Sequence, residues 1–70
     1  MNKYETLRND IIQYAEWTLG KNHFYTFSLT KTFDSLSDDD KKLFEVMSDE
    51  QLDRTFLAYA DLIKSMAQEK

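Results

Sequence analysis

Ten aromatic side chains in a chain of 70 residues set the first limit on what this sequence can become. Each ring has to leave water to contribute to folding, yet a domain of this size buries only about 60% of the surface its unfolded chain exposes. The sequence contains no cysteine, so neither a disulfide nor a thiolate zinc site can staple a small core. Self-association into a homodimer, or docking onto another protein, is the remaining way to cover the excess. The ring surface therefore predicts a chain that touches other macromolecules.

Ring spacing decides the fold class. Tyr4, Leu7, Ile11, Ala15 and Leu19, widened by Ile12 and Tyr14, recur three or four residues apart and form one face of a helix over 3–19. Asn2 is placed to cap it, with Glu5 three positions on as in a capping box, and Gly20 can end it in a left-handed conformation. Trp17 lies on the flank of the stripe and is expected as a half-buried anchor at the core's edge. Ser37 opens a helix over 38–47 with Asp38, Asp39 and Asp40 in its first turn, where the helix dipole favours acids. Leu43, Phe44 and Met47 are its expected buried side. Ser48 repeats the device with Asp49, Glu50 and Gln51. In the helix that follows, 49–68, Leu52, Phe56, Tyr59, Ile63 and Met66 step alternately by four and three, a heptad-like seam facing the core or a twin chain. Asp53, Arg54, Asp61 and Lys64 take its wet side, and Gln68, Glu69 and Lys70 are expected to fray.

Residues 21–35 read two ways. Tyr25, Phe27, Leu29 and Phe33 stand at odd positions with Thr and Ser between them, the period of a half-buried strand. No other segment alternates in the same way, so such a strand would have to pair across a dimer or onto a target. The preferred reading is an irregular aromatic linker followed by a short helix over 28–35, capped by Ser28 and built on Leu29, Phe33 and Leu36. With no proline and no repeat or flexible linker, the expected architecture is all-α. It is one domain over 1–70, a small bundle of three to four helices at about 3–19, 28–35, 38–47 and 49–68, with dimerisation open.

The formal net charge of −4 opposes direct binding to nucleic acid or anionic lipid. A protein with a basic or mixed surface is the expected partner. Met1-Asn2-Lys3-Tyr4-Glu5 lacks the cationic start and apolar run of a secretory signal, and no stretch reaches bilayer length, so a cytoplasmic location without membrane contact is expected. Between Asp34 and Asp53, eight acids stand against Lys41 and Lys42, a net of −6. Such a block suits docking to a basic protein surface, or imitation of nucleic-acid phosphates in a DNA- or RNA-binding groove.

Equipment for catalysis is sparse. His23 is the only histidine, no Gly-x-Ser-x-Gly elbow occurs, and one glycine cannot build a phosphate loop. The sequence predicts no enzyme and no cofactor. Asp38-Asp39-Asp40 invites a calcium reading, but a twelve-residue loop counted from Asp38 places Lys42 at a ligand position and Leu43 where glycine is required. The cluster is read as an acidic helix start, and no metal is expected.

Leu36-Ser37-Asp38, then Phe44, Asp49 and Leu52, resemble in spacing the second half of the small nucleoid-modulating proteins of the Hha type. That resemblance implies an adaptor that binds a DNA-coating partner rather than DNA. The first half of the chain does not follow the family, and the residues around Asp49 depart from its charged pattern. The leading expectation is a small acidic regulator that works by binding, such as a phage- or mobile-element-type inhibitor of a host protein. Phe24, Tyr25 and Phe27 would supply burial, and Asp38, Asp39, Asp40, Asp49, Glu50 and Asp53 charge, as its partner-binding residues.

Overall fold

Helix-start chemistry and helical spacing, carried through the chain, give four helices in the computed structural model, which describes residues 2–68. These are α1 (Lys3–Leu19), α2 (Phe24–Asp34), α3 (Asp38–Glu45) and α4 (Asp49–Gln68). Among the described residues there is no strand, and the fold is a small all-α bundle. Glu69 and Lys70, two of the three residues expected to fray, lie outside the described residues.

α1 is the element on which the others pack. Asn2 Oδ1 accepts the Glu5 amide at 2.7 Å, one of the donors that a helix start leaves unmatched. Tyr4, Leu7, Ile11, Ile12 and Ala15 are buried, so the stripe read from spacing is the face that packs. Gly20 ends the helix, its amide donating to the Glu16 carbonyl at 2.9 Å. Its φ of 100° and ψ of 154° lie beyond the left-handed helical well, in a region essentially open only to glycine. This bend turns the chain back along α1.

α2 begins four residues earlier than the spacing suggested. There is no linker over 24–27, and Ser28 is an exposed residue inside the helix. His23 is the cap: its Nδ1 accepts the Tyr25 amide at 3.1 Å. The odd-numbered alternation conceals a second pattern, Thr26, Leu29 and Phe33, which are the residues α2 buries. Thr26 donates from its hydroxyl to the Gly20 carbonyl at 3.0 Å, and Thr30 to the Thr26 carbonyl at 3.1 Å. Two of the polar residues of an imagined strand are thus satisfied within the helix and its bend.

α4 starts beside the beginning of α1, where Lys3 Nζ donates to the Met47 carbonyl at 3.1 Å. By Phe56 it has reached Tyr14, whose ring it meets edge-on at 6.0 Å, so the two helices run in the same sense. Its start is a reciprocal capping box: Ser48 Oγ accepts the Gln51 amide at 3.1 Å, and Gln51 Oε1 accepts the Ser48 amide at 2.9 Å. The four-and-three seam faces the chain's own core from Leu52 to Ile63. Ile63 is fully buried, and Leu52, Phe56 and Tyr59 pack partly buried against the cluster of Tyr4, Leu7, Ile11, Ala15, Leu29 and Phe33. Burying a side chain such as Ile11 or Ile63 completely contributes about 1.5–3 kcal/mol.

α3 differs from its expected form. It stops at Glu45, and Val46 and Met47 turn the chain toward Ser48. None of its residues is buried, and Leu43, expected inside, is exposed. Two turns of helix placed across one end of α1 can touch it on one side only. The contacts there include a tilted Tyr4–Phe44 ring pair at 5.3 Å and the Lys41 ammonium 5.6 Å from the Tyr4 ring centre.

The result is open rather than round. Its radius of gyration is 12.2 Å, against about 11 Å for a compact chain of this length. The accessible surface is 5065 Å², against roughly 4,600 Å² for a folded monomer of this mass.

Candidate functional site

The acids are divided by the fold into those already matched and those left free. Asp34 pairs with Arg8 at 2.9 Å, and Glu50 with Arg54 at 2.7 Å one turn away. Glu45 reaches back across the bundle, its two carboxylate oxygens accepting the Lys3 and Tyr4 amides at 3.2 and 3.0 Å. It therefore caps α1 from a distance and complements that helix's positive end. Asp38, Asp39 and Asp40 form the exposed first turn of α3, where Ser37 Oγ accepts the Asp40 amide at 3.2 Å. Asp49 and Asp53 remain exposed on α4 without an ion pair among the described residues. No group of three or more metal-ligating side chains converges among the described residues.

The aromatic trio is split. Phe24 and Phe27 are 68% and 62% exposed, one turn apart on the outer side of α2. Phe24 stacks on His23 at 4.7 Å, and the Lys31 ammonium sits 5.4 Å from the Phe27 ring centre. Tyr25 turns inward and packs partly buried against the core. Burial raises its phenol pKa above the ordinary 10, and the neighbouring Tyr59 adds to that. The trio begins at the Gly20 end of α1, whereas Asp38–Asp40, Asp49 and Glu50 surround the Lys3 end. α1 separates these groups by about 25 Å, at 1.5 Å per residue, so the two sets of residues do not form one continuous patch.

Between α1 and α4 runs a groove of about 600 Å³. One wall is the α1 stripe Lys3, Thr6, Asp10, Gln13 and Trp17, and the facing wall carries Asp49 and Asp53. Leu7, Tyr14, Leu52 and Phe56 line it at greater depth. Lys3 closes one end through its bond to the Met47 carbonyl.

Trp17 corrects the expectation of a half-buried anchor: it is 77% exposed. It belongs to the flank that faces the groove, not to the core stripe. Leu57, one turn beyond Asp53, is also exposed, as are Val46 and Leu62. A signal for Trp17 was present in the sequence, because Lys3, Thr6, Asp10, Gln13 and Trp17 repeat at three-and-four spacing beside the apolar stripe. Nothing local marks Leu57.

Tyr4 is the polar centre beneath these surfaces. Its hydroxyl donates to the Phe33 carbonyl in the interior. Burial raises its pKa above 10; Arg8 opposes that shift and Asp34 reinforces it. No buried side-chain polar atom among the described residues lacks a hydrogen-bond partner, so the unused potential lies on the outside.

Comparison with known proteins finds no matching family model, no matching curated protein and no matching solved structure. The local likeness to nucleoid-modulating proteins rests on its six residues alone, and here each has a structural place. Leu36, Phe44 and Leu52 pack at the core's edge, while Ser37, Asp38 and Asp49 belong to helix starts.

Proposed function

We propose that this chain is a small acidic, non-enzymatic regulator that acts by binding a protein of basic or mixed surface. A cytoplasmic setting accords with the finding that no helix among the described residues is long and apolar enough to cross a membrane. The observation that carries the reading is the exposure of seven large apolar side chains among the described residues, each more than half accessible, in so short a chain. Three are aromatic, the class enriched at the centres of interfaces. The free carboxylates of Asp38, Asp39, Asp40, Asp49 and Asp53 add long-range attraction to a cationic partner and oppose nucleic acid and anionic lipid.

Capture from native lysate with mass readout tests this when the wild-type chain is run beside two variants. F24S/F27S removes exposed ring surface, and D39N/D40N/D49N/E50Q removes charge. A stoichiometric partner whose capture weakens with at least one variant, and whose salt dependence falls with the second, is the expected result. A chain that captures nothing, or captures equally well in all three forms, refutes the reading. Adding DNA or RNA to the captured complex separates an ordinary adaptor from a nucleic-acid mimic, because only a mimic must be displaced.

A further inference from the structure

We infer that the α1–α4 groove is the docking site for one amphipathic helix of a basic partner protein. This rests on the interaction reading above and makes it specific. The length is right: the groove follows fifteen residues of α1 from Lys3 to Trp17, a rise of about 21 Å, and eight of α4 from Asp49 to Phe56, about 10 Å, room for two to four turns of an incoming helix. That span takes anchors at i, i+3 or i+4, and i+7, the pattern by which a helix fills an apolar groove. Leu7, Tyr14, Leu52 and Phe56 offer the apolar floor for such anchors, and the volume lies within the range of preformed binding clefts.

Charge selects the occupant. Asp10 stands on one wall and Asp49 and Asp53 on the other, with no ion pair to any of them among the described residues. Lys3, the one cation along the groove among the described residues, has its ammonium on the Met47 carbonyl at the end. Lys or Arg flanking an aliphatic stripe would meet acids on both sides, whereas an acidic helix would meet repulsion. A second copy of this chain brings a net charge of −4 and is disfavoured for the same reason. Trp17, 77% exposed at the open end of the groove, would lose that exposure only when a partner lies over it, as interface anchors do.

Trp17 is the only tryptophan, so its emission reports on this site alone. The experiment titrates the full chain, labelled with ¹⁵N, with a synthetic helical peptide of Lys, Ala and Leu that holds its leucines at heptad spacing and contains no aromatic residue. Saturable blue-shifted Trp17 emission is expected, with amide shifts at Leu7, Asp10, Leu52 and Phe56. The D10K/D53K variant should bind roughly tenfold more weakly, and its helices are secure because lysine is the better helix former. A Glu, Ala and Leu peptide with the same leucine spacing should not bind. The inference falls if the lysine peptide leaves Trp17 and the groove amides unmoved, or if the glutamate peptide binds equally well. Shifts confined to Phe24, Phe27 or α3 overturn the groove assignment but leave the interaction reading standing. No shift anywhere, together with an empty lysate capture, ends both. Concentration-dependent shifts at the groove without peptide would give it to a second copy and overturn the basic-helix occupant.

Discussion

α3 and α4 begin alike and end differently. Each starts from a serine whose hydroxyl accepts an amide three residues on, and each fills its first turn with acids. α4 then runs for 20 residues and buries Ala60 and Ile63, whereas α3 runs for eight and buries nothing. A cap declares where a helix starts, and only a sustained apolar stripe decides whether it is anchored. α4 is accordingly part of the core, while α3 is a strap held across the start of α1 by one ring pair, one ammonium over a ring and one carboxylate. This makes α3 the segment expected to open at the lowest free energy, since such local openings follow low burial and exposed contacts.

The largest test of this contrast compares one apolar residue on each helix. Ile63→Ala should lose about 2–5 kcal/mol of stability, because it leaves a cavity where α4 meets α1 and α2. Leu43→Ala on α3 should lose less than about 0.5 kcal/mol, the usual effect of a surface change. Urea denaturation read by circular dichroism supplies both values. Equal losses would mean that α3 is anchored as firmly as α4.

A smaller effect is expected in alkali. The raised pKa values of Tyr4 and Tyr25 mean that the folded chain holds these phenolic protons more tightly than the unfolded one. This contribution is complete below the ordinary value of 10 and is lost as pH rises above it. The urea midpoint should fall as pH rises past about 10, and the Y4F/Y25F variant should show a shallower fall. Tyr4 lies beneath α3 and Tyr25 beside Tyr59 of α4, so the single variants divide the effect between the two helices. An unchanged slope in Y4F would remove Tyr4 from the account.

The sequence disclosed what repeats over many turns and hid what depends on one contact or on distant partners. α1 and α4 were legible because their stripes run for four turns or more, and the capping box at Ser48 was legible because its partners are three residues apart. α2 was misread at its start because the alternation of Tyr25, Phe27 and Leu29 overlies the helical set Thr26, Leu29 and Phe33. His23, moreover, is not among the residues that usually cap. For the candidate surfaces, the acidic block could be counted but not sorted. Only the tertiary fold shows that Asp34 meets Arg8 and that Glu45 is spent on the start of α1. The groove was hidden for a similar reason, since its walls are more than 30 positions apart in the chain and face each other only because α4 runs in the same sense as α1.

Glu45 offers the finest test of the strap. Its carboxylate supplies acceptors for the Lys3 and Tyr4 amides, and it stands at the last residue of α3, so a single side chain joins the two elements. A lost cap of this kind costs about 1 kcal/mol, and the site is exposed enough for water to replace part of it. Glu45→Ala should therefore leave the global urea midpoint nearly unchanged. Hydrogen exchange should separate the elements where denaturation cannot: the amides of Lys3, Tyr4 and α3 should exchange about fivefold faster, the factor that 1 kcal/mol represents. The amides around Ala60 and Ile63 should keep their rates, because they exchange through opening of the core. If α3 and α4 quicken together, the strap is part of the same cooperative unit, and the likeness of the two helices at their starts extends to their anchoring.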